Sequence, residues 1–136
     1  MLNEHVRDIM TKNPVTVSPD NTLAEVNDVM VKKRLQQLPV TEGGKLVGLI
    51  TTFDLWKDRD AAAVATKRKV SEVMTTGIVK LAPKDKVGTA AELFVDRRFK
   101  TLPVVNLDND LKGVVTAFDV IHHVYKKEYP KEFMTE

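Results

Sequence analysis

At 136 residues the chain has the length of one small domain, and its 43% hydrophobic and 29% charged residues are those of an ordinary folded protein, which excludes a disordered chain. A formal net charge of +2 is too small to argue for a nucleic-acid partner, and the lack of cysteine excludes a disulfide frame, a thiolate metal site and a cysteine nucleophile. No apolar run approaches the ~18 residues of a membrane span and the first residues lack the pattern of a secretory signal, so no membrane association and a cytoplasmic location are expected.

Val6, Ile9 and Met10 have the spacing of one short helical turn, and Val15-Thr16-Val17 alternates as a half-buried strand does before Ser18-Pro19-Asp20-Asn21 breaks it. Thr22-Leu23-Ala24-Glu25 has the spacing of a capping box. Leu23, Val26, Met30 and Val31 follow on one apolar face, which predicts a helix running to Arg34. Leu38-Pro39-Val40-Thr41 reads as a strand with Pro39 at its start or edge, because proline cannot donate to a ladder. Glu42-Gly43-Gly44-Lys45 is a tight turn, Leu46 to Ile50 the returning strand, and the pattern after Thr51 is helical through the alanine-rich stretch Asp60 to Ala65.

The same series then recurs. Val6 to Thr11 returns as Val70 to Thr75, Leu38-Pro39-Val40 as Leu102-Pro103-Val104, and Gly48 to Asp54 as Gly113 to Asp119. The offset grows from 64 to 65 between the last two matches, so the second turn carries one inserted residue. Val87, Ala90, Ala91, Phe94 and Val95 form the apolar face of the second long helix. The expected fold class is α/β (α+β mixed): two pseudo-symmetric β-α-β-β-α repeats, residues 1–66 and 67–128, with a tail at 129–136. Small mixed sheets should pack together with helices outside. Each half alone is of marginal size, which predicts that the two share one hydrophobic interior.

Both repeats carry Gly-apolar-apolar-Thr-x-x-Asp where the last strand meets a helix, which places Thr51 and Thr116 near an N-cap with Asp54 and Asp119 three residues on. A capping box explains that spacing and is worth about 0.5–2 kcal/mol. A ligand explains it as well: a helix N-terminus and a hydroxyl suit an anionic group such as phosphate, and a carboxylate accepts hydrogen bonds from a ribose diol. Gly48 and Gly113, inside the strand, point with equal force to a packing constraint or to a ligand's close approach.

These duplicated motifs resemble a tandem pair of cystathionine-β-synthase (CBS) domains, a Bateman module, over residues 5 to 127. The resemblance implies a non-enzymatic regulatory module that binds an adenosine-containing ligand, AMP, ADP, ATP or S-adenosylmethionine, in clefts between the repeats. It also implies a disc-like homodimer and an effector protein of unknown identity. By position it assigns the ribose to Asp54 and Asp119 and the phosphate to Thr51 and Thr116. It assigns the adenine wall to Thr11, Val15 and Thr16 opposite Asp119, and to Thr75, Val79 and Lys80 opposite Asp54. Gln36 and Gln37 (after Leu35) in one copy, and Lys100 and Thr101 (after Phe99) in the other, complete the pockets, with Lys100 a phosphate partner.

The remaining features carry no chemistry. His5, His122 and His123 are poorly spaced for a metal, Asp119 and His123 form an i, i+4 surface pair, and Trp56 reads as core or dimer packing. The basic runs at residues 67–69, 97–98 and 126–127 read as solvated faces, so nucleic acid is not an expected partner. The alternative to a ligand sensor is a ligand-free interaction scaffold whose two Thr-x-x-Asp corners are only caps.

Overall fold

Val6 and Val70 are both fully buried, each at the head of a single 3-10 turn, Val6–Asp8 and Val70–Glu72. The computed structural model describes residues 2–56, 67–97 and 99–129. Two compact units divide the chain: Val15–Ile78 is one, and Met1–Pro14 with Val79–Glu136 is the other. Each sequence repeat therefore lends its leading turn to the body of the other repeat. In place of one shared interior, the buried residues form two clusters. Val70 and Val73 join Leu23, Val26, Leu38, Val40 and Ile50 in the first, and Val6 joins Val87, Ala90, Leu102, Val104 and Val115 in the second.

The first unit contains α1 (Leu23–Lys33), β2 (Gln37–Glu42), β3 (Lys45–Thr51) and α2 (Thr52–Trp56); β1 (Thr11–Lys12) belongs to the other unit with α3 (Val87–Arg97), β4 (Thr101–Val105), β5 (Leu111–Thr116) and α4 (Ala117–Glu128). The expected helical stretch over 60–65 lies outside the described residues. The hairpins β2–β3 and β4–β5 are antiparallel and share a register, Leu38 opposite Ile50 and Leu102 opposite Val115. Gly43 and Gly44, at φ 59° and 81°, make the first turn, as a two-residue loop matched to strand twist requires. The second turn holds its extra residue by placing Asn109 at φ 66° and by letting Asn106 Oδ1 accept from Asp108 N and Asp110 N at 3.0 and 2.9 Å.

The expected strand at residues 15–17 is a single parallel bridge, Val17 to Val40, repeated as Leu81 to Val104. Pro39 sits third in β2, which is an edge strand of the two-stranded β2–β3 sheet, as expected of a residue that cannot donate to a ladder. The side of β2 on which its N–H is missing faces only this bridge, which uses the Pro39 carbonyl (Val17 N to Pro39 O, 3.1 Å) and Thr41 N, so no bond is lost. What the sequence pattern did not reveal is β1, which pairs with β5 (Thr11 opposite Val114).

Helix α1 closes the expected capping box, Glu25 N to Thr22 Oγ1 at 3.2 Å and Thr22 N to Glu25 Oε1 at 2.9 Å, and ends at Arg34 in the left-handed conformation. Helix α3 follows Lys86, which has no capping oxygen. Its first N–H groups instead donate to backbone carbonyls of the leading segment, Val87 N to Glu4 O and Gly88 N to Leu2 O, both 2.8 Å. Val31 and Val95, expected on the apolar faces, are 68% and 78% exposed. Eight residues at about 100° each carry them to the margin of the stripe, beyond Met30 and Phe94.

Candidate functional site

Both Thr-x-x-Asp corners fold as closed capping boxes. Thr51 N donates to Asp54 Oδ2 at 2.9 Å and Asp54 N to Thr51 Oγ1 at 3.2 Å; Thr116 N donates to Asp119 Oδ2 at 2.9 Å and Asp119 N to Thr116 Oγ1 at 3.0 Å. Aspartate thus closes a box usually closed by glutamate. The boxes do not use up the corner's chemistry. Each threonine hydroxyl that accepts from an N–H still has its own proton to donate, and Asp119 closes its box through one of its two carboxylate oxygens.

The hairpin register sets the neighbours. In the first unit Gln37 lies opposite Thr51 across the ladder and Gln36 O accepts from Thr52 N at 2.9 Å, while Thr75 is bridged to Leu49, two residues before Thr51. In the second unit Thr101 lies opposite Thr116 and follows the exposed Lys100, while Thr11 is bridged through β1 to Val114. Thr75 thus lies beside the strand that ends at the Asp54 corner, and Thr11 beside the strand that ends at the Asp119 corner. Val15 and Thr16 are exposed residues of the first unit, Val79 and Lys80 exposed residues of the second, and Lys80 Nζ donates to Asn109 Oδ1 at 2.9 Å. Gln37 Oε1 is the one buried side-chain oxygen or nitrogen among the described residues with no hydrogen-bond partner.

Gly48 and Gly113 have a packing explanation. A Cβ on Gly48 would lie 2.6 Å from Met74 Sδ, and one on Gly113 would lie 2.7 Å from both Met10 Sδ and the Thr11 carbonyl oxygen. The glycines let the leading segments seat against the strands that end at the corners. His123 is not a surface partner of Asp119. Its side chain is 10% exposed and its Nε2 lies 3.0 Å from Glu4 Oε2, with Lys127 Nζ 3.1 Å from Glu4 Oε1. Of the basic runs, Arg68 pairs with Glu72 at 3.6 Å and Lys69 with Asp20 at 3.8 Å. Among the described residues no group of three or more potential ligands could hold a metal, and no helix is long and apolar enough to cross a membrane.

A family model described as CBS domain matches the chain over residues 6–55 and again over 70–126. The chain belongs to the CBS domain family. This tandem CBS pair is 33% identical over 129 residues to the uncharacterized protein MJ0188 of Methanocaldococcus jannaschii, covering 93% of the pair and 46% of that protein, so the chain spans about half of the relative's length. The CBS-pair protein CBSX2 of Arabidopsis thaliana, solved in complex with AMP, superposes with a TM-score of 0.81 at 25% identity, covering 92% of this chain and 98% of that one. The CBS pair of protein MJ0100, solved with 5′-methylthioadenosine and S-adenosyl-L-methionine, gives a TM-score of 0.76 at 27% identity over 90% of this chain and 97% of the other. The expected mixed α/β fold in two repeats is therefore the fold of this CBS pair.

Proposed function

We propose that this CBS pair is a non-enzymatic, cytoplasmic sensor that binds an adenosine-containing ligand, AMP, ADP, ATP or S-adenosylmethionine, through its two Thr-x-x-Asp corners. The observation that carries the reading is the orphan acceptor Gln37 Oε1 directly across the ladder from Thr51, since a buried acceptor without a partner costs about 1–3 kcal/mol unless a ligand or water satisfies it. Structures of CBS pairs similar over nine-tenths of this chain hold AMP in one case and 5′-methylthioadenosine with S-adenosyl-L-methionine in another, which supports the adenosyl class. In this reading the hydroxyls of Thr51 and Thr116 donate to phosphate or to the ligand's polar tail, Asp54 and Asp119 accept from ribose, and Lys100 adds a cation at the second corner only. Thr11, Val15, Thr16, Thr75, Val79, Lys80, Gln36 and Thr101 line the base.

Exposed apolar side chains support a homodimer. Phe118, Ile121 and Tyr125 recur on one face of α4, with Tyr129 just past its end, at 43–69% exposure, and Phe53 and Trp56 take the positions of Phe118 and Ile121 in the first repeat at 71% and 63%. Faces of this kind mark association surfaces. The output passes to an effector protein.

The closed capping boxes favour a second reading, a scaffold that binds no small ligand. Thermal unfolding with AMP, ADP, ATP and S-adenosylmethionine separates the two. A ligand at 100 times its Kd adds about 2.7 kcal/mol and raises Tm by several degrees, whereas no shift with any of the four leaves the scaffold.

A further inference from the structure

The second unit carries a groove that shares only Lys80 with the residues proposed to line the adenosyl base, and it is built mostly from positions at which the repeats diverge. Its volume is about 710 Å³, and its floor and walls come from Leu81, Ala82, Pro83, Val105 and the fully exposed Leu107. Arg7 and Lys84 stand on its rim as exposed residues, and neither side chain has a partner among the described residues. Of the other charges facing it, Lys80 Nζ donates to Asn109 Oδ1 at 2.9 Å, and Asp85 Oδ2 accepts from Ala82 N at 2.8 Å.

The first unit repeats this backbone. Arg7 N to Pro83 O at 3.0 Å has its twin in Ser71 N to Pro19 O at 3.1 Å. There the equivalent positions carry Ser71 for Arg7, Asp20 for Lys84 and Gly43 for Leu107. The same scaffold thus tolerates a corner without the two cations and without the apolar wall, so neither is a requirement of the fold. The lining carries three cations, Arg7, Lys80 and Lys84, against the single carboxylate of Asp85, beside the exposed Leu107, and this is the complement of an acidic segment with an apolar side chain between its carboxylates. Such a segment loses little by leaving water at an open groove, and the exposed Leu107 side chain supplies the apolar gain.

We propose that this groove docks an acidic peptide segment of a partner protein, its carboxylates on Arg7 and Lys84 and an apolar side chain against Leu107. The proposal is independent of whether the corners bind an adenosyl ligand. Selection of a displayed library of random dodecapeptides on the full chain tests it, with selected peptides then titrated by fluorescence anisotropy against wild type, the double variant R7E/K84E, and Leu107→Ser. Circular dichroism and Tm establish that the variants fold. The expected result is enrichment of Asp and Glu around an apolar residue, about tenfold or weaker binding to R7E/K84E, and a loss of several-fold with Leu107→Ser. Absence of any enriched family, peptides that bind R7E/K84E as they bind wild type, or complete displacement by inorganic phosphate alone would each overturn it.

Discussion

At the first corner the box closes at 2.9 and 3.2 Å around a buried Asp54, and at the second it closes at 2.9 and 3.0 Å around a half-buried Asp119. The bonds agree while the surroundings differ. Gln36 and Gln37 flank one corner where Lys100 and Thr101 flank the other, and the capped helix that follows is described over five residues in α2 and twelve in α4. Duplication has preserved the part that backbone physics demands, namely the cap, the register and the seated leading turn. The side chains that would tell one anion from another are those that have drifted. In the proposed reading, ligand preference differs between corners because of these flanking residues and not because of the Thr-x-x-Asp frame.

The comparison can be broken at the glycines first. Gly113→Ala drives a Cβ against a backbone oxygen at 2.7 Å, whereas Gly48→Ala meets chiefly the movable sulfur of Met74 and a carbonyl oxygen at 3.1 Å. Urea denaturation should show a loss of about 1–3 kcal/mol for Gly113→Ala and a smaller one for Gly48→Ala. Equal losses would mean that the two leading segments are seated alike.

The caps come next. Thr51→Ala and Thr116→Ala should each cost about 0.5–2 kcal/mol in the same assay, and Thr22→Ala, which removes a box with no proposed ligand role, should fall in that range. A loss well outside it at Thr51 alone would show that its corner is held by more than the box.

The smallest effect concerns a pair present on one side only. The hydrogen bond and charge of Lys127, with a further contribution from His123, hold the Glu4 carboxyl below the usual glutamate range, against an opposing push from desolvation. A carboxyl whose pKa is depressed by folding stabilises the protein above its unfolded value, near pH 4.3, and that contribution is lost as pH falls through the lower folded value. Glu4→Gln should therefore lower stability at pH 7 and flatten its decline as pH falls below the unfolded glutamate value, measured by chemical denaturation at each pH. The position equivalent to Glu4 in the other repeat is Arg68, so no matching effect is expected there.

Much of this architecture was legible because the sequence states it twice. The capping box at Thr22, the hairpin register around Leu38 and Leu102 and both corners follow from local spacing, which local physics enforces. The exchange of leading turns was not legible from periodicity, since Val6 and Val70 look the same whichever body they pack against; only long-range contacts decide it. Val31 and Val95 misled because the apolar stripe is narrower than the run of valines. At the corners, spacing identified Thr51, Asp54, Thr116 and Asp119 but left cap and ligand open, and the structure shows that the cap is real without spending the hydroxyl protons. The groove at Arg7 and Lys84 had a signal in the chain, the divergence of those positions from Ser71 and Asp20, which becomes meaningful only once the pocket joins them.

The central claim is that these corners serve a guest as well as their own helices. Isothermal titration of AMP, ADP, ATP and S-adenosylmethionine into wild type, Thr22→Ala, Asp54→Ala, Asp119→Ala and the double aspartate variant tests it most directly. Saturable heat is expected for at least one ligand, unchanged by Thr22→Ala, reduced by one or both single aspartate variants and abolished in the double variant. Flat heats for all four ligands on wild type, or a double variant that binds as wild type does, would contradict it.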